Sequence, residues 1–130
     1  MDGNPRGVTR RQSESFALDV RERLEFAGFE ASLLHDPYAE EPAGVVLEVP
    51  DSDADERRIV VVRWSCGAQM RHLAAESAAQ GRVDSDEIRD HGKILDVMRE
   101  ALKQALTTLG YSVRNSKDDL QPYAIEVFPG

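Results

Sequence analysis

The sequence predicts an α+β domain: a five-stranded, mainly antiparallel sheet with three helices mostly on one face, in the order α-β-β-β-α-α-β-β. Three observations carry this expectation. Apolar residues recur at helical spacing in three stretches, and short alternating or β-branched runs bounded by Gly, Pro and Asp fill the intervals. The strands also come as a group of three and then a group of two, instead of alternating with helices, which favours an antiparallel sheet over a doubly wound one. At 130 residues one core suffices, and folding at that length buries roughly two-thirds of the unfolded chain's surface.

Residues 1–8 hold Gly3, Pro5 and Gly7 and little that is apolar, so they read as a flexible N-terminal arm, with residues 9–130 as the single domain. Thr9 and Gln12 have the form of a capping box, and Phe16, Val20, Leu24 and Ala27 follow on one helical face until Gly28 stops it. Phe29, Ala31 and Leu33 alternate with polar residues as a first strand, and Val45, Leu47 and Val49 form a second after the Asp36-Pro37 break. Ile59 to Val62 is continuously apolar and β-branched, which suits a central strand. A second helix enters at Ser65 to Gly67, with Met70, Leu73, Ala74 and Ala78 on one face and Gly81 as its end. Asp84 with Glu87 forms another capping-box pattern. The third and longest helix follows, carrying Ile88, His91, Leu95, Met98, Leu102, Ala105 and Leu109, with a kink or an end expected at Gly92. After Gly110, Tyr111 to Arg114 and Tyr123 to Phe128 complete the sheet.

An internal echo accompanies this order. Leu24 to Ala31 matches Leu106 to Val113 in type at the helix end, the glycine, the aromatic and the next strand residue. Duplication and ordinary helix-to-strand chemistry both account for it.

Composition bounds the function. Net charge is −8, yet the excess is local: Asp36, Glu40, Glu41, Glu48, Asp51, Asp53, Asp55 and Glu56 fall in a segment without Lys or Arg, and the remaining sixteen acids balance sixteen bases. Such a segment repels a phosphate backbone and suits a basic protein partner, while acidic loops also serve simply to keep a small protein in solution. No apolar run approaches the ~18 residues of a membrane span, no signal peptide is visible, and the single cysteine implies no internal disulfide. These features point to the cytoplasm. Thirteen arginines against three lysines indicate a genome rich in G and C.

Individual residues support several readings. Cys66 precedes the second helix, whose positive end favours a thiolate, and His72 lies six residues on. That pair is the weak catalytic candidate, against the alternative of a small buried cysteine. Trp64 reads as either core or ligand-stacking, and the scattered Cys66, His35, His72 and His91 lack zinc-ligand spacing. Asp51, Asp53 and Asp55 imitate a calcium loop that fails at Glu56 and Val62. Neither metal nor cofactor is expected. With Phe29, Leu47, Tyr111, Ile125 and Val127 facing the helices, the outer face receives Val46, Glu48, Ala124, Glu126 and Phe128. That mixed surface invites a partner, a second copy or coverage by the second helix.

From Thr9 to Gly81 the order helix, three strands, helix resembles a double-stranded-RNA-binding domain, with Ala74-Ala75-Glu76-Ser77-Ala78-Ala79 similar to the alanine-rich face of its second helix. That family's basic cluster at the start of the helix is represented by Arg71 alone, which argues against nucleic acid as a partner. The full order and the acidity are also similar to small dimeric secretion chaperones, a likeness that implies wrapping of client segments. The expectation is therefore a non-catalytic protein-binding accessory or regulatory module, adaptor- or chaperone-like, binding through Glu48, Asp51, Asp53, Asp55, Trp64, Glu126 and Phe128, with a homodimer through the outer face as one form. The alternatives are a small enzyme using Cys66 and a nucleic-acid-binding module.

Overall fold

A computed structural model describes residues 5–34, 41–50, 59–82, 85–118 and 120–130, the first six by backbone alone. Helix α1 (Pro5–Phe26) opens the chain and runs into strand β1 (Ala31–Leu33). Strands β2 (Gly44–Glu48) and β3 (Val60–Ser65), helices α2 (Ala68–Ala79) and α3 (Asp86–Thr108), and strands β4 (Ser112–Asn115) and β5 (Ile125–Phe128) follow, in the element order the sequence predicts.

Helix α1 starts four residues earlier than Thr9. Proline is well suited to a first helical turn, because its φ is already helical and that turn needs no N–H donor. Ser13, Phe16, Ala17, Val20 and Leu24 form the buried stripe of α1, whereas Ala27 lies beyond the helix and is exposed. Helix α3 is capped by Ser85, whose hydroxyl accepts from the Ile88 amide at 3.3 Å, one residue after the predicted Asp84. It passes through Gly92 without ending there.

The sheet order is β1-β2-β3-β5-β4, and the sheet is mixed. Pairs β2–β3, β3–β5 and β4–β5 are antiparallel, but β1 and β2 run parallel, with Ala31 opposite Val45 and Leu33 opposite Leu47. The sheet expected to be mainly antiparallel is thus mixed, with β1 as a parallel edge strand. A two-residue loop forces reversal, while a longer connection can return the chain to the end it left.

Helix α1 lies over β1, β2 and β3, and α3 lies over β3, β5 and β4. The core forms between them: Phe16, Val20 and Leu24 from α1, Leu102 and Leu106 from α3, and Val45, Leu47, Val60, Val62, Ile125 and Val127 from the sheet. Phe29 and Tyr111 pack against it, Tyr111 edge-on to Phe16 with ring centroids 5.6 Å apart. The predicted face assignment thus holds for all five inward residues.

Helix α2 packs chiefly on α3. Its buried residues are Ala74 and Ser77, with Leu73 and Ala78 exposed and Met70 half-buried. Small side chains suit such a contact, since they let two helices approach closely.

The internal echo is real as local geometry. Gly28 (φ 106°) and Gly110 (φ 100°) close α1 and α3 identically, the glycine amides bonding to Glu25 and Thr107 carbonyls and the Phe29 and Tyr111 amides to Leu24 and Leu106, all at 3.0 Å. The strands that follow do not superpose. β1 is parallel to β2 while β4 is antiparallel to β5, so no rigid rotation maps one half onto the other. The echo is a shared cap placed before the two edge strands.

Candidate functional site

At the end of β3 the alternating residues Arg63 and Ser65 lie on the outer face, whereas Trp64 pairs with core-facing Val45 and packs against the core. Cys66 continues the strand into the turn before α2. These residues, the Glu41 side chain ahead of β2, Arg71 on α2, His91 and Leu95 on α3, and the 120–124 turn before β5 surround a cleft of about 360 Å³.

Glu41 is its electrostatic centre. Ser65 Oγ donates to Glu41 Oε2 at 2.6 Å, and Arg63 forms an ion pair with Glu41 Oε1. Arg63 also reaches Glu48 Oε1, with Nη2 at 2.9 Å and Nε at 3.2 Å. Arg71 Nε donates to the Cys66 carbonyl at 2.9 Å, and its Nη2 donates to the Glu41 carbonyl at 3.0 Å, tying α2 to both neighbouring segments. Burial would raise the pKa of Glu41. The Ser65 hydrogen bond and the charges of Arg63 and Arg71 outweigh it and hold the carboxyl below its ordinary range.

The locked arrangement limits the chemistry. Glu41 is held as a carboxylate between Ser65 and Arg63, and its bond to Ser65 fixes the direction of that hydroxyl. No hydrogen bond joins His91 to Ser65 or Cys66 among the described residues. Cys66 is 4% exposed, and burial pushes its thiol pKa up, against smaller opposing effects from the Arg71 charge and a hydrogen bond from Trp64. The thiolate-favouring helix end expected from the sequence is thus overridden by desolvation. His72 is exposed on α2 and does not line the cleft; His91 is the histidine there.

Of the other predicted residues, Trp64 packs on the core and also lines the cleft. Glu48 and Glu126 lie on the outer face in ion pairs with Arg63 and Arg114. Phe128 is 8% exposed, and the Arg114 guanidinium lies over its ring at 4.7 Å. Asp51, Asp53 and Asp55 lie outside the described residues.

Sequence reasoning missed Glu41, Arg63, Ser65, Arg71, His91 and Tyr123 as members of one site. The available signal was Arg63, a charge interrupting the run Val60 to Trp64. Among the described residues no group of three or more His, Cys, Asp or Glu could hold a metal, and no helix is long and apolar enough to cross a membrane.

No protein-family model matches the chain, and no curated protein or solved structure matches it either.

Proposed function

We propose that this chain is a non-catalytic protein-binding module of the cytosol, an accessory or regulatory protein in the manner of an adaptor or chaperone, engaging its partner at the sheet-end cleft. One observation carries the reading. The cleft's acid, hydroxyl and thiol are all committed to internal roles, while Leu120 on its rim is 90% exposed. A large apolar side chain held in water beside a cleft lined by Trp64, Leu95, Pro122 and Tyr123 suits recognition better than proton transfer.

The thiol-enzyme alternative needs a lowered thiol pKa, and the direction for Cys66 is upward. The nucleic-acid alternative needs a basic stripe, on a chain of net charge −8. Neither gains a specific supporting observation.

The test is site-specific photocrosslinking in the native host. A benzophenone side chain replacing Leu120 should give a discrete protein adduct that the same group at Phe26, equally exposed on the far end of α1, does not give. Absence of adducts from Leu120, or the same adducts from both positions, would overturn the reading.

A further inference from the structure

Two arginines line the cleft, and they differ in what they already hold. Arg63 is spent between Glu41 and Glu48. Arg71 donates to two backbone carbonyls, which fix its guanidinium plane without cancelling its charge, and it ion-pairs with no carboxylate among the described residues. Glu41, the acid lining the cleft, is shared with Arg63 and Ser65. With Glu48 counted, the two glutamates and two arginines of this cluster balance, and Arg71 is the one arginine of the pair without a carboxylate in contact among the described residues.

A pre-oriented guanidinium is suited to a planar anion, since its N–H groups form a fixed fork and little freedom is lost on binding. A single guanidinium outside an ion pair, in a cluster balanced as a whole, matches a monoanion better than a phosphate dianion. Trp64, Leu95, Leu120, Pro122 and Tyr123 form the larger part of the remaining wall, beside the polar His91 and Gln121, so the anion suits a body that is largely apolar. About 360 Å³ lies at the small end of ligand pockets, room for a terminal residue and part of its neighbour. A C-terminal apolar residue carries its carboxylate and its apolar side chain on the same carbon, so a single residue can meet Arg71 and the apolar wall together.

We propose that the sheet-end cleft binds the free C-terminal carboxylate of a partner protein whose last residue is apolar, with Arg71 holding the carboxylate and the Leu95, Leu120 and Pro122 wall holding the side chain. This rests on the binding reading above and names its ligand chemistry.

Trp64 is the chain's only tryptophan and lines the cleft, so its fluorescence reports on this site. The full chain would be titrated with an N-acetylated four-residue peptide ending in leucine, with the same peptide as its C-terminal amide, and with 3-phenylpropionate. The peptide acid should shift Trp64 emission and bind at least about tenfold more tightly than the amide, as expected for loss of one charge-assisted contact. Arg71→Gln should abolish that difference. Because Arg71 also anchors α2, Leu120→Glu serves as a second variant: its side chain is exposed, so the fold should persist, and a carboxylate on the rim should weaken the peptide acid at least about tenfold.

Equal binding of acid and amide, no response to either, or 3-phenylpropionate binding as tightly as the peptide acid would each overturn the proposal. If the Leu120 crosslink persists in those cases, only the carboxylate assignment falls. If it is absent too, the binding reading falls with it.

Discussion

Glu41 contributes to stability with a definite pH dependence. Its carboxyl titrates below the ordinary glutamate value of 4.5 in the folded chain, so the unfolded chain binds more protons in that range. The stabilisation is complete above the unfolded value and is lost as pH falls through the folded one. Glu41→Gln should lower stability at pH 7 by about 1–2 kcal/mol, and the loss should shrink as pH falls from about 5 to 3, measured as urea midpoints across that range. A constant difference at all pH values would remove the charge from the explanation. Cys66 makes a second residue-level prediction: with its pKa raised and 4% exposure, alkylation by iodoacetamide at pH 7.5 should run at least about tenfold slower than that of a free thiol and reach the free rate only in denaturant. The sequence shows Cys66 and Trp64 beside a strand-to-helix turn, which is correct. It does not show that the acidic segment folds back on β3. Glu41 and Glu48, its two acids among the described residues, both pair with Arg63, so what reads as a free acidic surface is in part the two jaws of an internal salt bridge. Pairing across 22 and 15 positions leaves no local spacing to detect.

At the level of elements, glycines separate positions that need a glycine from positions that merely have one. Gly44 starts β2 at φ 104°, and a Cβ there would lie 2.8 Å from the Glu30 carbonyl oxygen, where the parallel β1 closes on β2. Gly44→Ala should therefore destabilise by about 2–3 kcal/mol, combining a strained φ with a backbone clash that no side-chain movement relieves. Gly92, inside α3, meets only the Tyr123 hydroxyl at 3.5 Å, an ordinary contact. Gly92→Ala should stabilise by up to about 1 kcal/mol through helix propensity. Ser85→Ala should cost about 1 kcal/mol by removing the α3 cap. Chemical denaturation of the three variants under one buffer checks the predicted signs together. Helix ends were legible because cap chemistry is local: Gly28, Gly81 and Gly110 all stop helices. The direction of β1 was not, because parallel pairing depends on the path of residues 34–43 rather than on alternation within Ala31 to Leu33. The buried face of α2 was also misread, since a helix that packs on another helix through Ala74 and Ser77 has no need of the apolar stripe that sheet packing demands.

For the whole molecule, the question is what closes the outer face of the sheet. Alternation identified its members correctly, and their mixed character gave reason to expect a partner or a second copy there. Within the single chain, however, Val46 is fully buried, and Ala124 and Phe128 are 1% and 8% exposed. Val46 stands opposite Arg63 in the β2–β3 register, and Arg63 bridges Glu41 and Glu48 beside it. Arg114 lies over Phe128 while pairing with Glu126. Long arginine stems cover apolar surface while their guanidinium groups stay paired at the rim, so charges that look like a docking code in sequence help seal this face. Sealing from within makes a measurable claim. Phe128→Ala should cost about 3 kcal/mol, the usual range for removing a buried aromatic ring, and the loss should be the same at every protein concentration. If a second copy covered the face instead, unfolding midpoints of the original chain would rise with concentration, and Phe128→Ala would lower the molecular mass in solution. Urea unfolding over a hundredfold concentration range, read beside light scattering, decides between the two. A concentration-independent midpoint with an unchanged monomer mass is the expected result, and it would leave the sheet-end cleft, with Leu120 in water at its rim, as the surface on which to look for a partner.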